Sequence, residues 1–524
     1  MKHVSKPLAS AFATYSFAAK TPLAVALCAL LLLWAGGASA AAQKPSASVV
    51  EARMHEGDNA DHAAAAPQLL FGALPVSTHS LEARSLVEKA LDEYENELYE
   101  ESIADSRKAT EKDPQFALAY ALWAFAAQRE QPATAQLAKA TALSGDAPAG
   151  EQLLVRWMIA TQSSDLLPAI SLMNDLLQRF PDNKHVLYLA GEWLYSQEDF
   201  DRSRKLFEKA LQNDPKFPPP LNMLGYAYIE TGDPDPDKAK AALQRYAALL
   251  PNHPNPHDSL GEVSRYAGDD AGSLVEYRKA LQISPAFFTS QLGIGETLTL
   301  MSKYDEARAE IDKAMPMATS SRDRLHAEFQ KALTHFLEGQ PDQGRAELKA
   351  LEAKARDAGD SYAQSDIGLG RALLAATTND ELTQLSMLES TFSNPLSAMS
   401  EGDRHRSQAS ILQEEVRVLS SIGKVESAQE EIQELESLSR DSRDAFIENC
   451  YESARGFVFY ANGEYASAVD ELASNPQNPL VARQIVQAYE KLGNTAAAEV
   501  SRNRLKFLRA DTPQWFLTAQ AATK

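Results

Sequence analysis

The sequence predicts an all-α protein, a curved solenoid of stacked helical hairpins. Two series of residues recur along its middle with a shared period. They are the glycines and prolines Gly191, Gly225, Gly261, Gly295, Pro181, Pro215, Pro251 and Pro285. Both series have gaps of 34, 36 and 34 residues. A fixed period in this range is typical of repeated supersecondary units and not of a single globular core.

A third series of small residues locates the two extra residues of the long gap. Its members are Ser203, Ala239, Ser273 and Ala307. Here the long gap comes first, so the insertion must lie between Gly225 and Ala239. That window contains the proline-rich stretch from Gly232 to Asp237, which disfavours a helix. We therefore expect a turn there, with helices of unchanged length on either side.

Each unit is predicted to hold two short helices. Leu187, Ala190 and Leu194 are three and four residues apart, so they share one face of the first helix. Phe207 and Ala210 provide the apolar face of the second helix. A proline ends the unit, because the residue before it is driven out of the helical region. Glycine at a matched place lets the two helices approach closely.

This pattern resembles that of the tetratricopeptide repeat family. The unit from Lys184 to Pro215 supplies the residues of the family pattern at Leu187, Ala190, Gly191, Leu194, Ser203, Phe207, Ala210 and Pro215. With this unit included, four consecutive units are in register. The resemblance implies an α-α superhelix that binds other proteins or peptides along a concave groove. We expect clear units in residues 151–315 and degenerate units in residues 81–150 and 316–524.

The first 40 residues resemble a secretory signal peptide. Lys2, Lys6 and Lys20 precede an apolar run, and the small residues Ser39 and Ala40 follow it. We expect cleavage after Ala40 and a periplasmic or secreted protein. The alternative is an inner-membrane anchor formed by residues 21–43. Residues 41–80 are rich in Ala, Pro and Ser and are predicted to be a flexible tether.

The composition narrows the range of partners. The formal net charge is −21, which argues against nucleic acid and against anionic lipid as partners. Association with a membrane is expected only if the N-terminal segment stays uncleaved. Cleavage would leave Cys450 as the one cysteine, in an apolar helical pattern typical of a buried thiol.

No catalytic, cofactor or metal site is predicted. The segment His55–His62 concentrates metal-ligand types, but it lacks the second histidine of a zinc protease helix, so a solvated loop is favoured. Gly293 and Gly295 lack the third glycine of a dinucleotide-binding loop. We therefore predict a protein that is not an enzyme.

The resemblance also indicates which residues line the groove. In proteins similar to this one, fixed positions of each first helix face the concave surface. Carried onto this sequence, they give Tyr188, Glu192, Tyr195, Asn222, Tyr226, Asp258, Glu262, Arg265, Tyr266 and Glu296. Acids interspersed with tyrosines favour a basic or polar extended ligand. The alternative is that these are ordinary solvated helix faces.

The sequence thus predicts an exported scaffold or adaptor that binds proteins or peptides without catalysis. One alternative is an accessory subunit that presents polysaccharide to an envelope enzyme. Another is an enzyme whose site lies in residues 316–524. A deep pocket with converging polar groups in that region would favour the enzyme.

Overall fold

A computed structural model of the chain describes residues 68–71, 73–127, 133–162, 166–230, 234–395, 399–505 and 512–522. The expected signal peptide, most of the expected tether and the His55–His62 segment lie outside these residues. No helix among the described residues combines the length and the apolar composition needed to cross a membrane.

The described residues contain twenty-five α-helices, and each helix from α1 to α23 packs on the next one along the chain. The first six are α1 (Leu81–Glu95), α2 (Tyr99–Lys112), α3 (Ala117–Ala127), α4 (Thr134–Ser144), α5 (Ala149–Ala160) and α6 (Leu167–Arg179). The units with the clear pattern are α7 (Lys184–Ser196), α8 (Phe200–Asn213), α9 (Pro219–Ala227), α10 (Pro236–Leu249), α11 (Asn255–Tyr266), α12 (Asp270–Ile283), α13 (Phe288–Leu300) and α14 (Tyr304–Ala314).

The C-terminal part continues the same arrangement after a short 3-10 turn at Met315–Met317. Its helices are α15 (Ser321–Leu337), α16 (Pro341–Asp357), α17 (Ser361–Leu373), α18 (Thr378–Phe392), α19 (Glu401–Ser421), α20 (Val425–Ser442), α21 (Ala445–Ala461), α22 (Tyr465–Leu472), α23 (Pro479–Lys491), α24 (Thr495–Leu505) and α25 (Pro513–Ala522). Odd-numbered first helices alternate with even-numbered second helices, and α25 packs back on α23 and α17. Cys450 is buried in α21, as predicted. The predicted all-α solenoid is confirmed.

A small β-hairpin precedes the helices and corrects one boundary. Strands β1 (Gln68–Leu70) and β2 (Leu74–Val76) pair antiparallel and pack on α1 and α5. The N–H of Ser77 donates to the carboxylate of Glu151 at 2.5 Å. The expected tether is therefore wrong for residues 68–80. Leu70, Leu74 and Val76 are buried against the helices, and this burial orders the segment. Strands of three residues are too short to show the alternation of apolar and polar residues that would predict them.

The repeating glycines set the distance between the two helices of each hairpin. A Cβ atom added to Gly191 would lie 2.6 Å from Cε1 of Phe207, and one added to Gly225 would lie 2.6 Å from Cγ of Leu243. The same opposition recurs at Gly261 with Tyr277 and at Gly295 with Ile311. Real Cβ atoms do not approach heavy atoms so closely, so only glycine permits these backbones to pack at this distance. The predicted packing role is confirmed.

The insertion shortens one helix, contrary to expectation. Helix α9 has 9 residues, whereas α7, α11 and α13 have 13, 12 and 13. The chain leaves α9 at Tyr228, whose carbonyl accepts from the N–H of Asp235 at 2.8 Å. Helix α10 begins at Pro236, because a proline in the first turn needs no N–H partner, and the Asp235 side chain caps it. The proline-rich stretch is thus part turn and part helix start.

Replacing Gly225 by leucine is expected to lower the free energy of unfolding by about 3 kcal/mol or more, because the larger side chain must push α9 away from Leu243. Thermal and urea unfolding followed by circular dichroism measure this. The matched control is Gly145→Ala, because a Cβ at Gly145 would have no atom within 4 Å and its φ of −61° suits alanine. Equal stability of the Gly225 variant and the wild type would contradict the assigned packing.

Candidate functional site

All ten predicted groove residues lie on the first helices of the four clear units. Tyr188, Glu192 and Tyr195 are on α7, and Asn222 and Tyr226 are on α9. The remaining ones are Asp258, Glu262, Arg265, Tyr266 and Glu296, on α11 and α13. We call these ten residues, together with Glu230 just after α9, the inner face.

Glu262 is the centre of the inner face. Tyr226 on α9 donates its phenolic hydrogen to one oxygen of Glu262 at 2.8 Å, and Tyr266 donates to the other at 3.0 Å. Arg265 lies 3.7 Å from the same carboxylate and forms a direct ion pair with Glu296 on α13. One carboxylate thus links two successive first helices, and the arginine continues the link to a third.

Other hydrogen bonds extend this network in both directions. The hydroxyl of Ser259 donates to the side-chain oxygen of Asn222 at 2.8 Å, and that of Ser290 donates to Asp258 at 2.5 Å. Tyr195 on α7 donates to the carboxylate of Glu230. Five of the ten side chains predicted to contact a ligand therefore contact one another, and others bond to neighbouring residues.

The inner face is largely buried. The exposed fractions are 5% for Glu262, 6% for Glu296 and 3% for Arg265, while Glu192, Tyr195 and Tyr226 are half-buried. Neither a fully open groove nor an ordinary solvated helix face describes this geometry. The structure brings the predicted residues together, but at the bottom of a covered surface.

Burial changes the ionisation of these acids. It raises the pKa of Glu230 to about 8 and that of Asp258 to about 7, and it also raises the pKa of Glu262. Burial acts in the same direction on Glu296, but the Arg265 charge and a hydrogen bond from His326 outweigh it and lower that pKa to about 2. Among these four acids, Glu296 is the one whose pKa neighbouring positive charge lowers. The pKa values of Glu230, Asp258 and Glu262 stay above their ordinary range because burial outweighs their other interactions.

The end of α1 and the turn that follows it cover the N-terminal edge of the inner face. Tyr188 donates to the backbone carbonyl of Glu95 at 3.2 Å. The side-chain amide of Asn222 donates to the carboxylate of Glu97 at 3.1 Å. We call Glu95 and Glu97 the N-terminal cover.

Three residues from the C-terminal part of the chain contact the opposite edge. Arg406 donates to the carbonyl of Ser196 at 3.3 Å, and Gln477 donates to the carbonyl of Glu230. Asn449 on α21 donates to Oε2 of Glu198 at 2.6 Å. Arg406, Asn449 and Gln477 form the C-terminal cover, which joins units more than 200 residues apart in the chain.

Glu198 is a buried acid at this edge that the sequence did not predict as a site residue. It is 4% exposed, and its Oε1 has no hydrogen-bond partner among the described residues. Burial raises its pKa to about 8. Sequence reasoning misses it because Glu198 lies in the turn after α7 and its partner is 251 residues away. No periodic signal connects the two.

A further group brings metal-ligating atoms together beside the inner face. Oxygens of Asp92 and Glu95 and a ring nitrogen of His185 lie within 4.8 Å of one another. The sequence does not predict this group either, because α1 and α7 are separated by about 90 residues and neither helix carries a ligand spacing of its own.

Replacing Glu198 by glutamine is expected to change the pH dependence of stability. The folded-state pKa of about 8 exceeds the ordinary value of 4.5, so the protonated carboxyl stabilises the wild-type fold at low pH. The wild type loses this stabilisation as the pH rises through 8 and the carboxyl ionises. Glutamine keeps the acceptor for Asn449 and cannot ionise. The variant should match the wild-type melting temperature at pH 5 and exceed it by about 2 °C or more at pH 8.5.

Calorimetry at both pH values, with Glu306→Gln as the control, measures this effect. The Glu306 side chain is 63% exposed, so its substitution should change the melting temperature little at either pH. A Glu198→Gln variant that is no more stable than the wild type at pH 8.5 would contradict the burial of an ionisable carboxyl at this edge.

Comparisons with known proteins agree with this architecture. Residues 194–261 match the family model described as tetratricopeptide repeat. The comparison with curated proteins finds no match. Among solved structures, yeast Tom70 is similar at 14% identity and a TM-score of 0.40, covering 80% of this chain and 96% of that one.

Two shorter solved structures are also similar. A tetratricopeptide repeat protein from Parabacteroides merdae ATCC 43184 has 13% identity and a TM-score of 0.32, covering 52% of this chain and 93% of that one. YrrB, described as a TPR protein with an unusual peptide-binding site, has 14% identity and a TM-score of 0.26, covering 36% and 95%. The match over residues 194–261 confirms the resemblance to tetratricopeptide repeats that the sequence predicts.

Proposed function

We propose that the chain is an exported, non-catalytic scaffold that binds other proteins through its inner face. The ligand is an extended segment of a partner protein, basic or polar in character. The tetratricopeptide repeats support the general role in protein interaction. The excess of buried acid on the inner face supports the choice of a basic segment.

The observation that carries the proposal is the burial of several acids beside a single arginine, which raises their pKa values. Glu230 and Asp258 have pKa values raised to about 8 and about 7, and Glu262 shares the single arginine of the inner face with Glu296. Ionising a buried carboxyl without a nearby cation is costly. A lysine or arginine supplied by a partner would lower that cost, and this gain would appear as binding energy.

Access to the inner face determines how a segment could bind. Glu192, Tyr195 and Tyr226 are half-buried and would be met first. The deeper acids would become reachable if the C-terminal cover moved, and hydrogen bonds to Ser196, Glu198 and Glu230 attach that cover. We expect opening of these contacts to expose the deeper acids of the inner face.

The binding test uses Glu192→Gln and Glu230→Gln together. Both substitutions remove an ionisable carboxyl and keep a side-chain acceptor for the neighbouring hydroxyls of Tyr94 and Tyr195. Glu296 is left unchanged, because it forms the ion pair with buried Arg265 and its loss would destabilise the fold. The affinity for a lysine-rich peptide should fall by about 1–3 kcal/mol, and its dependence on salt should weaken.

Fluorescence anisotropy with a lysine-rich peptide and an equally long glutamate-rich peptide measures these affinities. Glu306→Gln, on the exposed side of α14, is the matched control and should bind like the wild type. Equal affinity of the wild type for both peptides would exclude recognition of a basic segment. An undiminished affinity of the double variant would place recognition elsewhere on the solenoid.

The proposal of export rests on the N-terminal pattern alone. If the signal is removed after Ala40, N-terminal sequencing of protein from the cell envelope should begin at Ala41. The control is a variant with Ala40→Asp, in which processing at this position should fail. Wild-type protein that starts at Met1 and stays in the membrane fraction would favour the anchor instead.

A further inference from the structure

Three side chains of metal-ligating type converge where α1 meets α7. Asp92 and Glu95 lie in the last turn of α1, and His185 lies in the first turn of α7. Each can offer one ligand atom, and the three atoms lie within 4.8 Å of one another. Helices distant in sequence thus form a compact set of two carboxylates and one imidazole.

The distances between Glu95 and His185 suit a shared metal ion. Nδ1 of His185 lies 2.9 Å from one oxygen of Glu95 and 2.8 Å from the other. Zinc binds imidazole nitrogen and carboxylate oxygen at about 2.0–2.2 Å in a tetrahedral arrangement, so two of its ligand atoms lie about 3.3–3.6 Å apart. The pair lies at hydrogen-bonding distance, and a shift of about 0.5 Å would bring it to the spacing of two ligands of one ion.

The imidazole is held in place by its surroundings. The ring of Phe71 stacks on it with centroids 3.6 Å apart and planes 22° apart, and Phe217 meets its edge at 5.3 Å. The side chain of Asn183 accepts from the backbone N–H of His185 at 3.0 Å and caps α7. A ligand that is immobilised before binding loses little freedom when the ion arrives.

Asp92 differs from the other two residues. It is exposed, and its carboxylate makes no hydrogen bond or ion pair with any other described residue. It lies on the wall of a cavity of about 650 Å³, which His185, Phe71 and Lys184 also line. This carboxylate is free to turn towards the buried pair, and the cavity gives water access to the same point.

We propose that Asp92, Glu95 and His185 bind one zinc ion, with water from the cavity as a further ligand. An imidazole in the set favours zinc over calcium or magnesium, which prefer oxygen alone. Three protein ligands and one open position form a common zinc arrangement. The ion would clamp α1 to α7 and hold the N-terminal cover on the inner face.

The simplest alternative is an ion pair between Glu95 and His185 without a metal. The two interpretations differ in the role of Asp92, because the ion pair does not need it and the zinc site does. Asp92→Asn is therefore the decisive variant, and it should fold normally because the residue is exposed. Asp182→Asn is the matched control, since Asp182 lines the same cavity with a side chain that is 78% exposed.

The experiment uses the full chain after removal of metal with a chelator. Zinc is titrated by calorimetry, and the melting temperature is recorded with and without zinc. We expect saturable binding and a zinc-dependent rise in melting temperature for the wild type and for Asp182→Asn. Asp92→Asn should bind at least tenfold more weakly and lose most of the rise.

The sequence contains 10 histidines, so zinc bound at other positions will contribute to the total binding that is measured. The readout is therefore the difference between Asp92→Asn and the two other proteins, not the total zinc bound. His185→Asn is a second variant that should lose the same component. An absence of zinc-dependent stabilisation in the wild type, or an equal response in Asp92→Asn, would overturn the proposal and leave an ion pair.

Discussion

The close approach of two helices within each hairpin is the constraint on which the rest of the molecule depends. At Gly191, Gly225, Gly261 and Gly295 the backbone of a first helix contacts a large side chain of the second without an intervening Cβ atom. This contact sets the separation of the two helices and therefore the angle at which the next hairpin stacks. Because the same contact recurs in four consecutive units, the first helices follow one another in register and their polar residues form one continuous inner face.

Hydrogen bonds stabilise the inner face, whereas its burial disfavours the ionised form of its acids. Its tyrosine and serine hydroxyls donate to carboxylate and amide oxygens of neighbouring units, so each unit is joined to the next by polar contacts as well as by apolar packing. The same burial leaves several carboxyls with pKa values well above their usual range. A surface intended only for packing has no need of such groups, since apolar residues of similar volume would fill it at lower cost.

The periodic part of this structure could be predicted from the sequence, whereas contacts between distant units could not. Glycine, alanine and proline recur because every hairpin needs a small residue where its helices touch and a proline where it ends. That pattern locates the helices and turns. The pairing of Asn449 with Glu198, or of His185 with Glu95, depends instead on the curvature accumulated over many units. The burial of Glu262 could not be predicted for the same reason, because any first helix may carry polar residues until another part of the chain covers them. The hairpin at 68–76 has too few residues per strand to show alternation.

The C-terminal cover also affects how the molecule unfolds. In an open array of repeats each unit contacts only its neighbours, so unfolding can start at either end and spread unit by unit. Here Asn449 and Gln477 connect the C-terminal helices to the edge of α7 and α9. The stretch joined in this way has no free end at which unfolding can start independently, whereas α1 to α6 precede it. The stretch from α7 to α23 should then unfold as one cooperative unit. Weakening the hydrogen bonds of the C-terminal cover should let it unfold in separate parts.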